Sequence, residues 1–275
     1  MIGNTVLTSI LSMAGLGLFF ASVLAVVNQK LKVKEDPRVE GIEGALPGLN
    51  CGACGFASCR QYAEALAKEE ISPDQCKAGG EEVINRLSEI LNIKIEKKIK
   101  QVAVLHCGAD ESARKKKAIY RGVKTCLAAH NMFGGEVSCA YGCLGYADCV
   151  KACPFDAIKM VNGLPKIDKY KCVACGKCVA SCPRNLITLE KIDSRDFIYV
   201  ACNNLDKGPE TRKACSVGCI ACGLCQKLTG GIFYVENNLA RVRYDKAKNI
   251  ANTEEVINKC PTKCIVNEKP KSNGG

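Results

Sequence analysis

The chain has 275 residues, a formal net charge of +11, and 21 cysteines beside 2 histidines and no tryptophan. Disulfide scaffolds are usually short chains with even cysteine counts and structural zinc favours separated pairs, so this long, odd-numbered set with cysteine triplets reads best as iron–sulfur ligation. Four clusters at about −2 each would offset most of the positive charge, and the scattered lysines, not interleaved with aromatics, weigh against nucleic acid.

Residues 6–27 carry no charge, and at about 1.5 Å per residue they are long enough for a hydrocarbon core of roughly 30 Å. No Lys or Arg precedes the run, whereas Lys30, Lys32 and Lys34 follow it. A retained transmembrane anchor is therefore expected rather than a cleaved signal peptide, with positive-inside bias placing the bulk of the chain in the cytoplasm, on a single-pass cell (inner) membrane protein. Gly17, Ala21 and Ala25 form a small-residue stripe suited to a partner helix. Gly15 and Gly17 lie inside the apolar span and make no dinucleotide fingerprint.

Past a charged linker, Cys51, Cys54 and Cys59 follow one another closely and Cys76 comes after Pro73. Gly52 and Gly55 let the backbone turn tightly around an inorganic group. Ser58 is placed to cap a helix over 59–69 with Tyr62, Ala63, Leu66 and Ala67 inward, and a second helix over 81–91 would bury Val83, Leu87 and Ile90. One [4Fe–4S] cluster on these four cysteines is expected. The spacing alone leaves a zinc knot open.

Cys172, Cys175, Cys178 and Cys182-Pro183 reproduce the C-x2-C-x2-C-x3-C-P run of two-cluster ferredoxins, in which the cysteine before proline ligates the other cluster. Upstream, Cys143, Cys149 and Cys153-Pro154 form a partner run whose middle cysteine is replaced by Tyr146. With Cys139 as substitute, the expected sets are Cys139, Cys143, Cys149 and Cys182, and Cys153, Cys172, Cys175 and Cys178. Strands over 157–160 and 164–167 flank the hairpin signal Asn162-Gly163. The pattern then recurs in eroded form. Cys219, Cys222 and Cys225 precede a hairpin around Asn237-Asn238, and Cys260-Pro261 closes a single set, because Thr229 stands where the crossing cysteine belongs.

Five cysteines remain: Cys107, Cys126, Cys202, Cys215 and Cys264. Cys107 and Cys202 each end an expected strand, over 101–106 and 197–201. The pairs Cys107 with Cys126 and Cys202 with Cys215 are candidates for a fifth cluster, with Cys264 spare or substituting; buried free thiols are the other reading. His106 and His130 read as structural residues. The run Arg114-Lys115-Lys116-Lys117 reads as a solvated face or, alternatively, a docking patch for an acidic partner.

The order of parts resembles the RnfB family, the B subunits of the Rnf ion-translocating electron-transport complex, over nearly the whole chain. The apolar N-terminus, the Leu46-Pro47-Gly48 to Cys59 motif and the run from Tyr141 to Cys149 carry the resemblance. It implies an electron-transfer subunit of a translocase-type ferredoxin:NAD oxidoreductase, which takes electrons from reduced ferredoxin and passes them to other membrane subunits, with no turnover site of its own. An iron–sulfur redox sensor or another membrane-anchored polyferredoxin is the alternative, as is an iron–sulfur enzyme with an open three-cysteine site. The expected class is α+β: an anchor (1–28), a linker (29–38), an α-rich [4Fe–4S] domain (39–95) and a connecting segment (96–138), then tandem ferredoxin-like units (139–192 and the degenerate 193–269) and a tail (270–275).

Overall fold

The computed structural model describes residues 2–31, 36–93, 100–191, 197–244 and 253–268; Lys32, Lys34 and the tail 270–275 lie outside them. Helix α1, Ile2–Leu31, contains one stretch long and apolar enough to cross a membrane, residues 7–30, none of which is packed against the rest of the chain. Its serine hydroxyls are satisfied within the helix: Ser12 donates to the Ser9 carbonyl and Ser22 to that of Leu18. Such internal bonding is what an apolar surrounding requires.

Three helices build the next layer: α2, Pro37–Ala45; α3, Cys59–Ala67; and α4, Gly80–Leu91. Helix α2 opens the α-rich domain, ahead of the two helices expected there and overlapping the expected linker only at Pro37 and Arg38; Asp36 caps it by accepting from the Arg38 N–H at 2.9 Å and Pro37 suits its first turn. Ser58 caps α3 as expected, accepting from Gln61 N–H at 3.1 Å. Ile42, Tyr62, Leu66 and Leu87 are fully buried between the helices, worth about 1.5–3 kcal/mol each. Ile90 is 42% exposed, because Leu91, one turn after Leu87, takes the inward place.

The remainder repeats one order of elements twice. The first segment runs β1, Gln101–Leu105; α5, Cys126–Asn131; α6, Asp148–Lys151; β2, Ile158–Val161; β3, Leu164–Ile167; α7, Lys177–Ala180; and β4, Ile187–Lys191. The second runs β5, Phe197–Val200; α8, Gly208–Ala214; α9, Leu224–Leu228; β6, Phe233–Glu236; β7, Leu239–Val242; α10, Thr253–Lys259; and β8, Ile265–Glu268. In each, the first strand pairs antiparallel with the last, Leu105 opposite Ile187 and Val200 opposite Ile265. In each, the middle strands form a hairpin over two left-handed residues, Asn162-Gly163 or Asn237-Asn238, the turn that matches strand twist.

Alternation along the outer strands explains how the segments dock. Ala103 and Leu105 enter the first segment's core, while Val102 and Val104 meet Phe197, Tyr199 and Ala201 of the second. Both faces of β1 are thus covered, which is why it reads as a continuous apolar run. The junction is also hydrogen-bonded, from Gly108 N–H to the Ala201 carbonyl at 2.8 Å and from His106 Nδ1 to the Val200 carbonyl at 2.9 Å.

Candidate metal centres

Beside α3, burial and then repulsion from Cys54, Cys59 and Cys51 raise the Cys76 thiol, so the four cysteines of the cap face one another. Gly52 and Gly55 have φ of 70° and 90°, the left-handed turns expected around an inorganic group. Asn50 Oδ1 accepts from Cys59 N–H at 2.7 Å and fixes the loop.

In the first segment, Cys153, Cys172, Cys175 and Cys178 line one open-mouthed cavity of about 310 Å³. Burial, then repulsion from Cys172, Cys175 and Cys153, pushes Cys178 up to about 11. Ala103 N–H donates to the Cys172 sulfur at 3.4 Å. The next cavity, about 410 Å³, is lined by Cys126, Cys143, Cys149 and Cys182. The spacing places Cys139 with this set; the cavity is lined by Cys126 and not by Cys139. The three loops that wrap the cavities share two left-handed residues, Gly145 and Ala147, Ala174 and Gly176, and Ala221 and Gly223. Tyr146 lies where the other loops carry Cys175 and Cys222. The Cys126 sulfur fills that place from outside the loop, accepting from the backbone N–H groups of Asp148 and Tyr146.

Helices α6 and α7 tie these two sites together. Cys149 lies on α6 with Cys153 just beyond its end, and Cys178 lies on α7 with Cys182 just beyond. Each short helix therefore sends one sulfur to each site, as a shared pair of clusters requires.

In the second segment, Cys219, Cys222, Cys225 and Cys260 line a cavity of about 380 Å³, with Cys264 also at its wall. Thr229 has a structural task in place of the crossing cysteine: its hydroxyl donates to the Cys225 carbonyl at 2.8 Å and accepts from Phe233 N–H at 3.1 Å. Cys264 is buried with its sulfur 3.7 Å from that of Cys260. Hydrogen bonding with Cys219 and Cys260, together with burial, pushes the Cys264 thiol up, and the same contacts hold Cys219 and Cys260 down at about 6 and about 5.

The remaining sulfurs meet at the junction. Cys107, Cys139, Cys202 and Cys215 line a cavity of about 390 Å³ between the two segments. Of the cysteines that the sequence left unassigned, Cys107, Cys202 and Cys215 come together here, Cys126 goes elsewhere, and Cys264 stays apart. His106 makes its two ring contacts with the Val200 carbonyl and the Thr188 hydroxyl, a structural role.

No three or more Cys, His, Asp or Glu side chains among the described residues converge tightly enough to hold a single metal ion. Burial pushes the Cys149 thiol up to about 12; bound iron would supply the charge that compensates its deprotonation.

Three family models match the chain: "Putative Fe-S cluster" over residues 46–78, "4Fe-4S dicluster domain" over 138–187, and "4Fe-4S single cluster domain of Ferredoxin I" over 216–267. The chain thus carries several [4Fe–4S] clusters in ferredoxin-type domains. It is 38% identical over 264 residues to the B subunit of the Na(+)-translocating ferredoxin:NAD(+) oxidoreductase complex of Acetobacterium woodii, covering 95% of this chain and 78% of that protein. Identity is 39% to the B subunit of the proton-translocating ferredoxin:NAD(+) oxidoreductase complex of Clostridium ljungdahlii, covering 95% and 92%. It is 31% to the B subunit of the ion-translocating oxidoreductase complex of Methanosarcina acetivorans, covering 95% and 98%.

Proposed function

Because this chain belongs to the family formed by the B subunits of ion-translocating ferredoxin:NAD oxidoreductase complexes, we propose that it relays electrons from reduced ferredoxin toward the membrane subunits of such a complex. We read it as an α+β protein on a single-pass anchor, with an α-rich cap and tandem ferredoxin-like units on the cytoplasmic side. The observation that carries the reading is the four-sulfur grouping of cysteines, with α6 and α7 shared between two groups.

One-electron storage is what a bound [4Fe–4S] cluster supplies; the chain's own residues place it, exclude water and tune it. The cap sulfurs are Cys51, Cys54, Cys59 and Cys76. The first unit offers Cys153, Cys172, Cys175 and Cys178 at one site and Cys126, Cys143, Cys149 and Cys182 at the other, and the second offers Cys219, Cys222, Cys225 and Cys260. None of these sets is a three-cysteine site with an open iron, which disfavours an iron–sulfur enzyme binding substrate at the metal. Cys222 is the exposed cysteine, and the same unit carries two exposed lysines close in sequence to its site cysteines, Lys227 two residues after Cys225 and Lys263 three after Cys260. That basic rim suits an acidic donor protein arriving at the second unit.

The test uses the full-length chain, extracted anaerobically in detergent. Reduced ferredoxin should bleach its visible iron–sulfur absorption, and Cys178→Ala should lose part of that bleaching together with iron. Clusters that dithionite reduces but ferredoxin does not would overturn the donor assignment.

A further inference from the structure

The quartet at the junction belongs to neither ferredoxin-type run, and three of its four cysteines, Cys107, Cys202 and Cys215, lie outside all three matched ranges. We propose that Cys107, Cys139, Cys202 and Cys215 hold a further [4Fe–4S] cluster, shared between the two units and linking their other centres.

The first support is symmetry. Each unit contributes a cysteine just past its first strand, Cys107 after β1 and Cys202 after β5, and the first cysteine of a Cys-x-x-Gly-Cys run, 139–143 and 215–219. The second cysteine of each run lies at its own unit's site and gives its backbone N–H to the strand-end sulfur. Cys143 N–H reaches Cys107 Sγ at 3.4 Å, and Cys219 N–H reaches Cys202 Sγ at 3.2 Å. The same N–H to sulfur bond occurs on both sides of one cavity.

The second support is that every sulfur there is already a hydrogen-bond acceptor. Cys139 accepts from the backbone of Tyr141 and Cys215 from those of Val217 and Gly218. Asn204, 1% exposed, serves two sulfurs at once: its side-chain N–H donates to Cys139 Sγ at 3.3 Å and its backbone N–H to Cys202 Sγ at 3.4 Å. A buried amide aimed at sulfur is poorly repaid by neutral thiols and well repaid by iron-bound thiolates. The cavity, about 390 Å³, falls within the 310–410 Å³ spanned by the three motif-bearing sites of the repeats.

The third is charge. Arg184 is 9% exposed and donates to the carbonyls of Cys139, Gly142 and Gly134, with no carboxylate partner among the described residues. It lines the Cys126 site and holds the backbone of a junction cysteine. A buried guanidinium with only carbonyl partners calls for anionic neighbours, and clusters on either side supply them.

The role as a link rests on the relay reading; the site itself does not. Through the N–H bonds of Cys143 and Cys219, the junction sulfurs touch a ligand-bearing residue of each neighbouring site. An electron leaving one neighbour and arriving at the other would pass through the junction, one site oxidised as the next is reduced.

Iron and acid-labile sulfide should reach about twenty each per full-length chain isolated anaerobically. Cys107→Ser and Cys202→Ser, one from each unit, should each remove about four. A wild-type value near sixteen with no loss in either variant, or zinc in place of iron, would overturn the site. Should the cysteine variants shed more than four, Asn204→Leu decides: iron retained with one EPR centre moved to lower potential supports the proposal, and no moved centre overturns it. Twenty irons in a chain that ferredoxin cannot reduce would keep the site and sink the relay.

Discussion

The two repeated units differ in how tightly their sites are bound together. In the first, α6 and α7 each serve two sites, and one apolar core contains Cys143, Cys149 and Cys178 with Cys153, Cys172 and Cys182 packed against it. In the second, Thr229 occupies the crossing position, and the core holds Cys219 and Cys260 with Cys225 packed against it, beside Cys202 of the junction. The lesson is that the loss of a crossing cysteine converts a cooperative pair of metal sites into an independent one, while the surrounding hairpin and strand pairing persist.

That contrast is sharpest in metal content. Cys149→Ala should cost about eight irons, because α6 loses its hold on both first-unit sites, whereas Cys225→Ala should cost about four. Iron analysis of the two variants checks this, and equal losses would remove the distinction. Next in size is Arg184→Leu. Three carbonyls lose a donor in a buried setting, at about 1–3 kcal/mol for each left unsatisfied. Thermal bleaching of the visible absorption should shift to lower temperature, with the cap's iron retained; an unchanged profile would mean that Arg184 is not holding the loops.

The sequence made the motif-spaced sites legible because ferredoxin ligation is local: the triplet, the cysteine before proline and the hairpin signals lie within a few dozen residues. Cys126 was not legible in this way, since its sulfur enters the loop at Tyr146 from twenty residues upstream and no spacing rule connects them. Cys139 lines the junction cavity and not the one its spacing suggests, for the opposite reason. Its nearness to Cys143 suggested a shared site, yet two cysteines flanking a Gly142 that packs on Cys139 point to different cavities. The signal that was available is the repeat itself: Cys139 corresponds to Cys215, and Cys107 to Cys202. Helix α2 has only Val39 and Ile42 buried, too short an apolar pattern to mark a helix by periodicity, although Asp36-Pro37 is a helix start.

A smaller effect concerns the exposed end of the second unit. Lys227→Glu with Lys263→Glu should lower the rate constant for reduction by ferredoxin several-fold at low ionic strength, with the difference shrinking as salt screens the encounter. Stopped-flow reduction across a salt series measures it. A deficit that ignores salt would point to altered packing rather than docking.

The smallest expected change separates the units at one matched position. Leu186 follows Cys182 by four residues and Cys264 follows Cys260 by the same interval, and both are buried directly before the returning strand. In the first unit the position is purely apolar. In the second, Cys264 hydrogen-bonds with Cys219 and Cys260, two of the proposed ligands, and a thiol donor to a ligand sulfur favours the reduced, more negative cluster. Cys264→Ala should therefore leave the iron count unchanged and move one EPR centre to lower potential, with a modest packing cost. Loss of about four irons instead would make Cys264 a ligand, and the second unit's site would then have to exchange it for Cys219 or Cys260.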